Sequence, residues 1–505
     1  MSKIKNIVIV GGGTAGWMTA SLLITKFPDF NITVVESPSV PSIGVGESTL
    51  MSFRRFLGHL GLKDKDWMKE CNATYKASID FTNWDGLGTR EKLPFGVSTL
   101  PEGLGLSDWS YKFFKEYDYC EFTHTAGPIL KENKIDKVID GVPDWKFEEG
   151  ITYHMDAGLF AEFLKNKYCI PRGVTYIQDD IKGSTKQSNN IIKLLGANKD
   201  YYADLFIDCT GFARALIEGE MGVGKRDLSH ILINDRSIPI QIPYTNKEEQ
   251  LEHSTNATTL NNGWVWKVPL WNRMGTGYVY SSKFVSEEGA EEEFKKYLLS
   301  NKLLTEEQLE LMPFKHIKIA AYLSKKAWEG NVVAIGLSAG FIEPLASTGI
   351  KIIIKGIEGL CRVLEHTTEI RSIDKGVYNL HIESTAATNL GGVTSHYAFA
   401  YRNDTDYWKY ITEEVEYLKE SSFLTRSFYS RFAHNFQGAA TSLNYSAASS
   451  LAHGKYDLYN KIGNKEREEE SFNAIKGRAD HVRNIAKNVP SAYEFLKEGI
   501  YNEAI

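Results

Sequence analysis

The sequence predicts an α/β protein that opens on a Rossmann-like β-α-β unit, and three observations carry that expectation. Residues 5–10, KNIVIV, form a short buried-strand run that stops at Gly11. The turn Gly11-Gly12-Gly13-Thr14-Ala15-Gly16 then leads into apolar residues at helical spacing from Trp17 to Lys26. Asn31–Glu36, NITVVE, is a second strand and ends on an acid.

The later elements follow the same reasoning. Residues 37–49 are rich in Ser, Pro and Gly and form a loop. Residues 73–82 alternate: Ala73, Tyr75, Ala77, Ile79 and Phe81 share one face, and Thr74, Lys76, Ser78, Asp80 and Thr82 the other. That pattern predicts one strand with a packed face and a polar face. Residues 86–150 have weak periodicity and read as an insertion. A short helix is expected over 160–168, strands over 174–181, 204–209 and 332–335, and a hairpin over 264–282. From 348 to 365 the apolar spacing predicts a helix, and beyond 366 the pattern is mainly helical, with 465–470 a solvated helix face.

Composition narrows the function. A chain of 505 residues predicts two or three domains. Lys and Arg number 58 against 64 Asp and Glu, a net charge of −6, which argues against a nucleic-acid binder built on a basic surface. No apolar stretch reaches the ~18–20 residues of a membrane span, and the run ending at Gly11 is too short for a signal peptide. The five cysteines are scattered, without a CxxC pair, so neither zinc nor a disulfide frame is indicated, no metal is expected, and a cytoplasmic location is.

The glycine motif carries the first chemistry. Placed between strand and helix, with Glu36 twenty residues after Gly16, it predicts a dinucleotide site. Gly11 permits the tight turn, Gly13 lets a pyrophosphate approach the backbone, Gly16 lets helix and strand pack, and Glu36 holds a ribose hydroxyl. The motif does not separate NAD from FAD.

Further blocks do separate them. Gly44-Val45-Gly46-Glu47-Ser48-Thr49, the strand with Lys76, Trp264-x-Trp266-x-Val268-Pro269, and the run from Gly336 to Ile350 (GLSAGFIEPLASTGI) occur in this order. Smaller blocks agree: Tyr153 to Ala157, Asp208 to Phe212, His396-Tyr397 and Arg402 to Thr405. Together, over about residues 5 to 410, they resemble the flavin-dependent tryptophan halogenase family.

The resemblance implies an FAD-binding Rossmann-like module of the flavin hydroxylase type, with a mainly helical substrate module on top. The expected division is 1–85 and 150–365 for the FAD module, and 86–149 and 366–505 for the substrate module. FAD would be held by Gly11, Gly13, Thr14, Ala15, Gly16, Glu36, Gly46, Glu47, Ser48, Ile181, Leu337 and Ile350. The implied reaction joins reduced FAD, delivered by a separate flavin reductase, to dioxygen. The resulting flavin hydroperoxide oxidises halide to hypohalous acid. Lys76 then presents the oxidant to an electron-rich aromatic ring.

Catalysis falls by resemblance to Lys76 and Glu343, and the halide to the backbone amides of Thr348 and Gly349. An ammonium at Lys76 could hydrogen-bond the oxidant, and a neutral amine could form a haloamine; either needs a water-poor site. The plainer reading is a lysine on a solvated strand face. Ser347-Thr348-Gly349 opens a helix, where free N–H groups and the dipole favour an anion, against the plainer reading of an ordinary Ser/Thr cap. Trp264 and Trp266 are expected in the core.

Two departures from the family bear on specificity. Tryptophan-specific members read EPLEST, and Ala346 stands where their second glutamate does. Residues 432–456 offer separated aromatics and no acid to grip an amino acid. The substrate expected is therefore an indole or phenol rather than free tryptophan. The expected partners are this small aromatic and the reductase, with no nucleic acid or membrane, and with homo-oligomer formation left open. The alternatives are a flavin monooxygenase and a decayed FAD-binding scaffold.

Overall fold

The computed structural model describes residues 3–39, 46–96, 118, 120–121, 124–142, 144–398, 400–417 and 465–502. Gly44 and Val45, and the whole of 432–456, lie outside the described residues.

The chain forms two compact units. The first comprises Met1–Ala73, Met155–His230 and Ala320–Asn389. Its centre is a six-stranded sheet in the order Trp328–Glu329, Val332–Ala334, Leu205–Asp208, Asn6–Val10, Asn31–Glu36, Thr175–Gln178. The last five strands run parallel, and Trp328–Glu329 is an antiparallel edge. Parallel strands need both faces covered, and the sequence complies: Ile7, Ile9, Val34, Phe206, Ile207, Val332 and Val333 are all buried. The helix Thr14–Lys26 packs Trp17, Met18 and Leu23 into this core.

The second unit comprises Thr74–His154, Ile231–Ile319 and Leu390–Ile505. Its seven-stranded sheet runs Ile317–Lys318, Arg236–Ile242, Met274–Tyr280, Gly263–Pro269, Ser254–Thr259, Ser78–Thr82, Arg90–Pro94. Pairing is antiparallel except between Ser254–Thr259 and Ser78–Thr82. The helix Glu287–Ser300 buries Phe294 and Leu298 against Ile238, Val265 and Tyr278 of that sheet. The cut differs from the one drawn on the sequence, since 74–85, 150–154 and 231–319 fall in this unit and 366–389 in the first.

The single strand expected over 73–82 is two strands, Thr74–Lys76 and Ser78–Thr82. Thr74–Lys76 pairs with Thr152–Met155, in the register Thr74 to His154 and Lys76 to Thr152. At Ala77 the partners change: its N–H donates to His253 O at 2.7 Å and its carbonyl accepts from Phe95 N at 2.8 Å. Alternation persists through the break because Ala77 stays hydrogen-bonded on both sides, so periodicity alone could not reveal it. The polar face is not solvated either: Thr74, Lys76, Ser78 and Asp80 are all fully buried. The expected helix over 160–168 begins at Ala157, capped by Asp156 through Gly158 N and Leu159 N, and continues from Leu164 as a wider π turn. The 174–181 run is likewise divided, into Thr175–Gln178 and a separate strand from Ile181.

Candidate active site

The glycine loop is built as a dinucleotide cradle. Gly11 has φ +113°, and a Cβ there would lie 2.3 Å from Cys209 O. A Cβ on Gly16 would lie 1.9 Å from Gly11 O, so helix and loop touch backbone to backbone. At Gly13 a Cβ would meet nothing within 4 Å, which leaves open space at the helix start. Glu36 folds over Gly12, whose Cβ would fall 2.3 Å from the Glu36 carboxyl carbon. Its Oε2 is buried, has Lys165 Nζ at 3.7 Å, and makes no hydrogen bond to a described residue. A buried acceptor so placed is suited to the hydroxyls of a ribose. These residues fit the ribose and pyrophosphate of FAD.

The remaining cofactor positions differ in how closely they join the cradle. Thr14 Oγ1 donates to Ala157 O at 3.2 Å. A Cβ on Gly336 would stand 3.0 Å from Ala15 Cβ and 3.4 Å from Ile353 Cγ1. The turn Gly336–Ser338, with Leu337, therefore lies between the cradle and the helix Thr348–His366. Leu337 O accepts from Tyr322 at 2.6 Å. Ile350 is buried on that helix. Ile181 opens the strand Ile181–Gln187, registered on Gly196.

Sequence reasoning passed over the residue that pins this turn. Arg214 is fully buried, with φ +48°. It donates to Ser338 O, to Val223 O at 3.0 Å, to Ser324 Oγ at 3.1 Å and to Glu218 Oε2 at 2.6 Å. The signal available was its place just after the Asp208 to Phe212 block. Asp208 itself spends one oxygen on Thr210 and the other on Leu216 N and Ile217 N.

The start of the Thr348–His366 helix is not an ordinary Ser/Thr cap. Ser347 occupies the N-cap at φ +56°, and its side chain makes no capping hydrogen bond. The Ser347 hydroxyl donates instead to Ser48 Oγ at 3.0 Å, which brings the Glu47–Ser48 strand to the helix start. Thr348 Oγ1 is buried and bonds no described residue. Glu47 Oε2 lies 3.8 Å from where a Gly349 Cβ would be. Glu343 is buried and precedes the Pro344–Ala346 turn, so it stands five residues upstream of Thr348.

Lys76 lies in the second unit and is fully buried. Burial pushes its pKa well below the ordinary lysine range, which favours the neutral amine. Its Nζ stands 4.9 Å from the Phe95 ring centroid. Two residues away, Thr74 Oγ1 donates to Pro269 O at 2.6 Å and so accepts from His154 Nδ1 at 3.2 Å. His154 Nε2 then accepts from Thr255 Oγ1 at 2.8 Å, and the network assigns a neutral Nδ1–H imidazole. Burial pushes the His154 pKa well down. On the next strand Asp80 is buried between Lys92 Nζ at 3.0 Å and Arg90 Nη2 at 2.8 Å. Burial alone would raise this carboxyl, but Lys92 and Arg90 hold it below the usual range. Of the two tryptophans, Trp264 is buried, whereas Trp266 is half-buried over Gly277 and is not the core residue expected.

The first unit thus carries a glycine cradle of the dinucleotide-binding α/β type, and the second a fully buried lysine. The model for the tryptophan halogenase family matches residues 6–456. Tryptophan 7-halogenase RebH of Lentzea aerocolonigenes is 30% identical over 98% of this chain and 99% of its own. The VirX1 apo structure is 33% identical, with TM-score 0.89 over 100% of both chains. Xcc4156, a flavin-dependent halogenase from Xanthomonas campestris, is 26% identical, with TM-score 0.83 over 99% of both. The chain belongs to the tryptophan halogenase family. It is a flavin-dependent halogenase of aromatic substrates, using FAD, halide and dioxygen as that family does, and neither the monooxygenase nor the decayed scaffold is favoured. Among the described residues no helix is long and apolar enough to cross a membrane.

Proposed function

We propose that the chain halogenates an electron-rich indole or phenol, with Lys76 directing the oxidant. The observation that carries this reading is the burial of Lys76: a lysine with no exposed surface and a depressed pKa has no use as a solubilising charge. FAD would be held by Gly11, Gly13, Thr14, Ala15, Gly16 and Glu36, with Gly46, Glu47, Ser48, Ile181, Leu337 and Ile350 completing its surroundings. Reduced FAD with dioxygen supplies the two-electron oxidation of halide; a separate flavin reductase, acting in the cytoplasm, provides the reduced cofactor.

The protein's own residues hold and guide. The amides of Thr348 and Gly349 bind the halide, where the helix dipole favours an anion. Lys76 receives hypohalous acid through its nitrogen, and Phe95 and the buried strand keep water away from it. Glu343 is the carboxyl retained from the family block, Ala346 having replaced the other. The loss of that second carboxylate from the family block supports a broader aromatic substrate than free tryptophan. In this reading the first unit binds FAD and the second the substrate.

The test supplies a flavin reductase, NADH, FAD and each of chloride, bromide and iodide to a panel of indoles and phenols, with products read by mass spectrometry. A halogen gain that disappears in Lys76→Ala supports the reading. An oxygen gain without halogen would point to a monooxygenase.

A further inference from the structure

We propose that the Glu47 carboxyl is a proton-coupled gate on the halide site: neutral, it admits a halide at the start of the Thr348–His366 helix, and ionised, it excludes one. The inference rests on the reading of Thr348 and Gly349 as the halide's donors. It makes Glu47 a positioning and regulatory group there, in addition to a neighbour of the flavin.

The geometry comes from three facts. The Ser347–Ser48 hydroxyl bond of 3.0 Å fixes the Glu47–Ser48 strand against the helix N-terminus. Glu47 Oε2 is then 3.8 Å from the position of a Gly349 Cβ, which sets the carboxyl beside the second residue of the helix. The first N–H groups of a helix have no partner within it, Ser347 does not cap them with its side chain, and the buried Thr348 hydroxyl bonds no described residue. A carboxylate and a halide want the same thing from such a place: free N–H groups and the positive end of the dipole. Glu47 is half-buried, and two anions side by side at one helix start repel, so the place holds one at a time.

The surroundings leave the carboxyl free to titrate. The strand paired with Glu47–Ser48, Thr152–Met155, carries His154; Met51–Leu60, next along the chain, carries Arg54, Arg55 and His59, and Thr348–His366 carries Lys351, Lys355 and Glu358. Lys351 is bonded to Asn389 Oδ1 at 2.8 Å, and Lys355 to Glu358 at 2.6 Å. None of them shifts Glu47; burial alone raises its pKa, to about 7. The sign follows. Below that pH the group is neutral and the site is open. Above it, each halide that binds must bring a proton, and apparent affinity falls up to about tenfold per pH unit.

Bromide is the probe. The FAD-loaded protein is titrated at constant ionic strength, with gluconate as the balancing anion, and Kd is taken from the rise in Tm between about pH 5.5 and 8.5. The expected parent Kd is flat at low pH and climbs about tenfold per unit above pH 7, whereas Glu47→Gln keeps the low-pH value throughout. Should Glu47→Gln not fold, an indicator dye reads the parent directly: about one proton taken up per bromide near pH 8.5 and none near pH 5.5. A flat parent curve, a variant that keeps the parent's slope, or binding without proton uptake at high pH overturns the gate.

Anomalous scattering from bromide-soaked crystals separates the two readings. Bromide at Thr348 and Gly349 with pH-independent affinity overturns the gate alone. Bromide bound elsewhere overturns the halide reading and the gate with it.

Discussion

Replacing Lys76 by Met tests whether the lysine is stored as a neutral amine. The perturbation keeps an unbranched, flexible side chain out to the ε position and removes the titrating nitrogen from a site with no exposed surface. Because burial lowers the folded-state pKa, the unfolded chain binds a proton that the folded chain does not, over the window from that lowered value up to about 10.4. Within it, parent stability rises with pH by about 1.4 kcal/mol per unit from this one group. Lys76→Met abolishes that slope. The variant is therefore expected to be the more stable near neutral pH, with the gap closing toward about pH 10. The assay is the difference in Tm between variant and parent, measured by scanning calorimetry in buffers from about pH 7 to 10. A gap that is absent, or constant with pH, would mean that Lys76 keeps its proton in the folded protein, and the neutral-amine reasoning would fail. Halogenation by the same variant should fall by about 10²–10⁴-fold while FAD binding is retained, since the nitrogen is lost and the flavin cradle belongs to the other unit.

Gly13→Asp should fold normally yet fail to retain FAD, because a Cβ there meets nothing within 4 Å of the protein but places a carboxylate where a pyrophosphate must come; wild-type flavin content in the purified variant counts against the cradle. In competition at equal concentration, bromide and iodide should be used ahead of chloride, since Ala346 leaves Lys76 without the family's second carboxylate to activate the oxidant, and Ala346→Glu should raise chlorination most; chloride winning in the parent refutes this. Arg214→Met should cost about 2–4 kcal/mol by leaving the Ser338 and Val223 carbonyls buried without donors, seen as a lower Tm with reduced flavin retention; an unchanged Tm would show that the turn is held by other contacts.

Local order was legible in the residues themselves. The glycine loop, the strand on either side and Glu36 appear as read, because a tight turn, a close helix approach and a strand ending on an acid are dictated within a short stretch of chain. The helix start at Thr348 was also legible, since helical spacing marks where it begins. What those groups do depended on contacts distant in sequence. Lys76 looked the same whether its face met water or protein, since alternation reports which side a residue takes and not what covers that side. In the folded chain Lys76 is fully buried, with the Phe95 ring 4.9 Å from its Nζ. Ser347 reads as a cap until its hydroxyl is found on Ser48, 299 residues earlier in the chain. Arg214 reads as a surface charge until carbonyls from two other segments close around it. Sequence determined the local backbone and the chemical kinds of group available. Tertiary structure decided which of them are dry and what they face, because desolvation and hydrogen bonding are set by neighbours that arrive from elsewhere in the chain.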